Sequence, residues 1–144
     1  MDIVDTTTRS RMMSSIHGKN TKPEISIRKL LHSHGFRFRI HQKTLPGQPD
    51  IVLKKYKTCI FINGCFWHRH PGCSLATIPK THTDFWSEKF RRTIERDALN
   101  TSNLETLGWQ VIIIWECETD LYHSNFYVLA KQIQSRTLST RTKP

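Results

Sequence analysis

The stretch Leu45-Pro46-Gly47-Gln48-Pro49-Asp50-Ile51-Val52-Leu53, with Cys59-Ile60-Phe61-Ile62 after the polar Lys54–Lys57, decides the fold. Two short apolar runs bounded by turn residues read as strands, being too short for helices. The run Phe36 to His41 before the Pro46-Gly47 turn reads as a third, so the three form a meander. Upstream, Thr21 to Gly35 reads as a helix: Thr21 and Glu24 match a capping box, Pro23 sits in the first turn, and Ile27, Leu30 and Leu31 share a face. Downstream come a loop from Asn63 to Thr83, a long helix from Asp84 to about Leu107, a buried strand Trp109 to Trp115, and a terminal helix from Leu121 to about Gln134. The order α, β, β, β, α, β, α predicts an α/β fold, a mixed central sheet flanked by helices. Residues 1–134 are expected to form one domain, and the basic, Ser/Thr-rich stretch Ser135 to Pro144 a disordered tail.

The chain has 144 residues, with 22 Lys and Arg against 12 Asp and Glu, a formal charge of +10. Such a field attracts polyanions, nucleic acid first among them. No apolar stretch approaches a membrane span and the first twenty residues lack a signal-peptide core, so a soluble cytoplasmic protein is expected. In a reducing compartment Cys59, Cys65, Cys73 and Cys117 point to metal rather than to disulfides.

Asn63-Gly-Cys-Phe-Trp-His-Arg-His-Pro-Gly-Cys73 packs two thiols and two imidazoles into a short loop. Cys65, His70 and Cys73 can supply three ligands to a tetrahedral zinc. Cys117, just past a strand end, is the best fourth, whereas Cys59 opens a core strand where a thiol behaves as a small hydrophobe. A closed four-ligand site is structural. The plainer reading is unligated thiols with surface histidines.

Pro49-Asp50, opening a strand beside a second strand, resembles half of a restriction-endonuclease-like core, where the carboxylate holds Mg²⁺ against the scissile phosphate. The usual acidic-x-Lys partner is missing at Ile62-Asn63-Gly64. His68 is suited to replace it as the base that activates water, with Asp97 as its orienting partner. In isolation Pro-Asp is an ordinary turn, Glu95-Arg96-Asp97 a charged helix surface, and Glu24 a capping carboxylate. Phe66, Trp67 and Trp86, flanked by Arg69, Lys80, Lys89, Arg91 and Arg92, suit insertion into a base stack, or else pack as core.

Thr8-Arg9-Ser10 with Met12-Met13, Leu45 to Asp50, Gly64 to His68, Phe85 to Lys89, Glu95 to Asp97 and Trp109 to Cys117 together resemble the very-short-patch repair (Vsr) mismatch endonucleases, block by block and in order. The resemblance implies Asp50 and the Ile62 carbonyl as Mg²⁺ ligands, Glu24 in the outer shell of the active site, and His68 as general base bonded to Asp97. It implies structural zinc on Cys65, His70, Cys73 and Cys117. Phe66, Trp67 and Trp86 would enter the stack opposite Met13 of an N-terminal DNA-contacting segment, residues 1–20, with Lys89 also at the DNA. The expected substrate is double-stranded DNA with a T:G mismatch from deaminated 5-methylcytosine, nicked 5′ to the thymine by a monomer, with mismatch-repair proteins as partners and the bacterial nucleoid as its place of action. The rivals are an endonuclease cutting matched DNA and a zinc-stapled DNA-binding module without catalysis. Two positions depart from the family pattern: Asn63 stands where a histidine precedes the Gly-Cys, and Pro71-Gly72 adds a residue between His70 and Cys73.

Overall fold

The computed structural model describes residues 20–142, with side chains through 135. Met13 and residues 1–19 of the expected DNA-contacting segment lie outside the described residues.

The elements are α1 (Lys22–Ser33), β1 (Arg39–Ile40), β2 (Ile51–Leu53), β3 (Thr58–Asn63), α2 (Thr83–Thr106), β4 (Gln110–Trp115), α3 (Thr119–Ser124) and α4 (Phe126–Thr142). The four strands form one sheet in the order β1-β2-β3-β4. The first two pairings are antiparallel and the last is parallel, so the sheet is mixed. The parallel pair needs a long crossover, which the Cys/His loop and α2 supply.

Period-two alternation divides the core between the sheet's faces. Ile51, Leu53, Ile60, Ile62, Ile112 and Ile114 pack with Ile27 and Leu31 of α1 and Leu129 and Ile133 of α4. Burying each such side chain contributes about 1.5–3 kcal/mol, so this layer carries most of the stability. On the other face, Val52 and Cys59 meet only Leu104 among the buried residues. Phe61, Trp109 and Val111 close that thinner layer as partly buried neighbours. Leu104 is the one buried residue of α2, and Phe85, Ile94 and Leu99 stand more than half exposed. The N-terminal part of α2 therefore projects from the sheet. Spaced Arg–Glu pairs lace its surface, Arg91 bonding Glu88 and Glu95.

Three elements differ from expectation. The first strand is only Arg39–Ile40, because Phe36 turns into the core against Tyr56 and Phe126. The strand after α2 is half-buried rather than buried: it is the sheet's edge, and Ile113 faces away from the thick layer, 37% exposed. The terminal helix is two helices broken at Asn125, whose φ −144 and ψ 77 leave the helical region. α4 then runs past Gln134 to Thr142, since no Gly or Pro intervenes to stop it.

Candidate active site and metal centre

A cleft of about 420 Å³ opens where β2 and β3 begin and end, bounded by the first turn of α1 and the middle of α2. Asp50, Glu24, Ile62, His68 and Asp97 all line it, with Phe66 and Trp67 at its side. Residues far apart in sequence converge because β2 and β3 are antiparallel, which places the start of β2 beside the end of β3.

Asp50 immediately precedes β2, and its Oδ2 accepts from the Ile62 N–H at 2.7 Å. Burial pushes the Asp50 carboxyl up to about 6; the Ile62 N–H pulls it down, Glu24 adds to the rise, and His41 and His68 oppose it. A buried carboxylate facing a second carboxylate is costly when ionised, so the pair favours a cation between them.

Glu24 is 4% exposed in the first turn of α1. Thr21 caps the helix through the Glu24 N–H at 3.4 Å, but the reciprocal bond of the expected capping box is shifted by one residue. Glu24 Oε2 accepts from the Asn20 N–H at 3.1 Å instead. The same oxygen meets Arg28 Nη2 at 2.8 Å and His41 Nε2 at 3.1 Å. Glu24, His41 and Asp50 could thus together hold a metal ion, their donor atoms all within 4.8 Å of one another.

Across the cleft, His68 Nδ1 lies 2.6 Å from Asp97 Oδ2. The long helix supplies the carboxylate and the loop supplies the imidazole. A Nδ1–H donated to Asp97 fixes the tautomer that leaves Nε2 as an acceptor. This is the arrangement a general base requires.

A second group that could hold a metal ion is Cys65, His70, Cys73 and Cys117, again within 4.8 Å of one another. His70 Nδ1 lies 3.6 Å from Cys65 Sγ and 3.4 Å from Cys117 Sγ. Tetrahedral zinc with Zn–S of about 2.3 Å and Zn–N of about 2.0–2.1 Å separates its S and N ligands by about 3.6 Å, so the donors fit. The added Pro71-Gly72 is accommodated by a turn, with Gly72 at φ +69 and Cys73 N–H donating to His70 O at 3.4 Å. Cys59 sits in the core on the other side of the sheet, fully buried, its thiol pushed up to about 12 by burial. Behind the cluster, Trp115 stacks on His70 at 4.2 Å.

Arg69 binds the loop to itself, donating to the carbonyls of Phe66, Ala76 and Thr77 at 3.0–3.1 Å. Its guanidinium also lies over the Phe90 ring at 4.0 Å. Phe66 meets Trp67, Trp86 and Phe90 with centroids 4.9–5.6 Å apart, so the three expected wedge aromatics form one block. Lys89 follows Trp86 on α2 by one turn. The aromatics are half-buried on one another rather than in the main core, which leaves their outer edges on the projecting part of the molecule.

Sequence reading missed three residues of this region. His41 is opposite Asp50 because Ile40 pairs with Ile51, a register no local motif reveals. Arg28 reaches Glu24 and His41 from the next turn of α1. Glu116 lines the cleft while its Oε1 accepts from the Cys65 N–H at 2.9 Å, joining the two metal-ligating groups.

Residues 1–74 match the model of the family described as DNA mismatch endonuclease Vsr. The type II nicking enzyme V.NmeAIP of Neisseria meningitidis is 52% identical over 117 residues, 81% of this chain and 83% of the relative. The DNA mismatch endonuclease Vsr of Escherichia coli is 44% identical over 116 residues, 81% of this chain and 74% of the relative. The type II nicking enzyme V.XorIIP of Xanthomonas oryzae is 44% identical, covering 76% of this chain and 80% of the relative. With a carboxylate-lined cleft, an oriented imidazole and relatives of this closeness, the chain belongs to the Vsr family of DNA endonucleases.

Proposed function

We propose that this endonuclease nicks one strand of double-stranded DNA 5′ to the thymine of a T:G mismatch, with Mg²⁺ as cofactor and a structural zinc beneath its loop. The observation that carries the reading is the His68–Asp97 pair, 2.6 Å apart, on the wall of the cleft that also holds Asp50. The restriction-endonuclease-like reading of the core draws support from Asp50 at the head of β2, bonded to Ile62 at the end of β3. N–H and C=O of one strand residue project to the same side, so the Ile62 carbonyl faces the Asp50 side of the strand, as a ligand role demands.

Asp50 and the Ile62 carbonyl would hold Mg²⁺, with Glu24 behind them. The ion, when bound, would polarise the phosphate and offset the charge developing on its oxygens. His68 Nε2 takes the proton of the attacking water, and Asp97 steadies the imidazolium that results. The water oxygen bonds to phosphorus, the P–O3′ bond breaks with its electron pair going to O3′, which takes a proton from solvent, and the ends are a 5′-phosphate on the thymine and a 3′-hydroxyl on its neighbour. The aromatic block is placed to enter the stack beside the mismatch, where unstacking costs least. Cys65, His70, Cys73 and Cys117 would hold zinc with no open position, anchoring the loop that carries His68, Phe66 and Trp67.

The test uses end-labelled duplexes differing only at one T:G or matched pair, in several cytosine-methylation contexts, with Mg²⁺ or EDTA. Mg²⁺-dependent nicking of the thymine strand alone is the expected result. Equal cutting of matched duplex would move the protein to the restriction-type reading. Binding without cleavage in every context would leave a DNA-binding module.

A further inference from the structure

We propose that Glu24, His41 and Asp50 make a mixed nitrogen–oxygen cation site, giving the cleft a preference for a first-row transition ion over Mg²⁺. The inference rests on reading Asp50 as the ligand of the catalytic cation and goes beyond it by making Glu24, placed behind the ion in that reading, a direct ligand and by adding an imidazole donor, His41.

Three elements deliver the donors independently: Glu24 from the first turn of α1, His41 from just after β1, and Asp50 from just before β2. Their ligand atoms lie within 4.8 Å of one another. His41 Nε2 and Glu24 Oε2 are 3.1 Å apart. Neighbouring ligands of an octahedral ion with bonds of about 2.1 Å are separated by about 3 Å, so the pair already has the spacing of two adjacent ligands. His41 is 12% exposed and Glu24 6% at the side chain, so both donors are held largely out of solvent. The His41 backbone is also held, in the left-handed region at φ 49, with its N–H donating to Asp50 O at 3.3 Å. That bond ties the imidazole to the residue whose carboxylate shares the site.

Arg28 fixes the side from which an ion can be approached. Its Nη2 lies 2.8 Å from Glu24 Oε2 and 3.2 Å from His41 Nε2. A fixed positive charge closes that edge of the donor group, so the ion sits towards Asp50 and the open cleft. The guanidinium weakens the hold on any divalent ion alike and does not choose among them. The choice falls to the ligand atoms. Mg²⁺ takes oxygen ligands and surrenders water reluctantly, whereas an imidazole nitrogen favours first-row transition ions. Coordination through Nε2 requires the neutral ring with its proton on Nδ1.

The test titrates Mn²⁺ into the zinc-loaded, full-length chain without DNA. Electron paramagnetic resonance reads the free ion, Mg²⁺ serves as competitor, and the ¹⁴N modulation of the spin echo reports a nitrogen ligand. The expected result is one bound Mn²⁺ with ¹⁴N coupling and a preference over Mg²⁺. His41→Gln should abolish the coupling and lower that preference about tenfold or more, since even outer-shell partners of a metal are worth about 10–100-fold. His68→Gln should leave the coupling in place. Bound Mn²⁺ without ¹⁴N coupling in the unaltered protein overturns the proposal. So does coupling that survives His41→Gln, while loss of Mn²⁺ on Asp50→Asn would keep the Asp50 reading intact. Binding indifferent to both substitutions overturns both readings.

Discussion

The two groups of this molecule that could hold a metal lie side by side and are built on opposite plans. The Cys/His group takes three of its four residues from the loop Cys65–Cys73 and the fourth, Cys117, from just past the neighbouring strand. The Asp50 cleft draws Glu24, Asp50, His68 and Asp97 from α1, a strand start, the loop and α2, and His41 joins Glu24 and Asp50 from just after β1. Soft donors on a short loop enclose a metal and hold the fold, whereas hard donors on separate elements keep a cleft open for substrate. On the proposed reading the first arrangement serves stability and the second chemistry. Because Glu116 and the loop connect them, the first should also govern the second, but not the reverse.

That asymmetry would be sharpest on removing the proposed zinc. Zinc binding in small domains contributes about 10–16 kcal/mol, against about 5–15 kcal/mol of net stability for a whole domain. Cys117→Ser, or a strong chelator, should therefore collapse the loop and most of the melting transition, as followed by circular dichroism during heating. A chelated chain that melts as before would break the comparison at its root.

Within the cleft, a large effect is expected at His68, the proposed base. His68→Ala should lower the single-turnover nicking rate by about 10²–10⁴-fold, the usual worth of a positioned base. Asp97→Asn should fall in the same direction by less and shift the pH–rate profile, because the amide no longer stabilises the imidazolium. DNA affinity, read by salt-dependent gel shift, should change little in either. An Asp97→Asn enzyme with an unaltered profile would dissociate Asp97 from the base.

The difference in plan also decides what could be read before folding. Cys65, His70 and Cys73 are legible because a nine-residue loop keeps them together whatever the rest does. Cys117 is chosen over Cys59 by position alone, since a cysteine that opens an apolar strand faces the interior. Asp50 announces itself by the Pro-Asp at a strand start. His41 does not, for its place opposite Asp50 depends on a hairpin register that pairs Ile40 with Ile51. Arg28 is hidden likewise: helical spacing puts it near Glu24, but nothing local aims it at the cleft. The break at Asn125 and the short β1 are decided by core packing around Phe36 and Phe126, which local propensity does not encode.

Asp50 separates the plans in a third way, through pH. Its folded carboxyl titrates at about 6, above the ordinary 3.8, so the folded state holds the proton more tightly. The burial therefore costs stability, a cost absent below the ordinary value and complete once pH exceeds about 6. At full ionisation it amounts to roughly 3 kcal/mol from the shift alone. Asp50→Asn should abolish nicking yet raise the melting temperature of the zinc-loaded, Mg²⁺-free chain at pH 8, with a smaller gain at pH 5. A variant no more stable at pH 8 than the parent would show that Asp50 is not strained by its surroundings.

The smallest effect comes from a residue that donates nothing. Gly47 has φ +74, and a Cβ there would lie 2.9 Å from Asn100 Cβ on α2. The Pro-Gly turn before Asp50 thus touches the helix that carries Asp97 three residues earlier. Gly47→Ala meets both a conformation unfavourable to L side chains and a clash that cannot be relieved by rotating a flexible tip, together costing about 1–3 kcal/mol. The turn and α2 must separate, and the distance between Asp50 and the His68–Asp97 pair must grow with them. Since a misplacement of about 1 Å can lower a rate about 10²-fold, nicking should fall measurably while zinc content stays stoichiometric. Zinc lost along with activity would mean that the cleft supports the cluster as much as the cluster supports the cleft, and the asymmetry between the two sites would have to be abandoned.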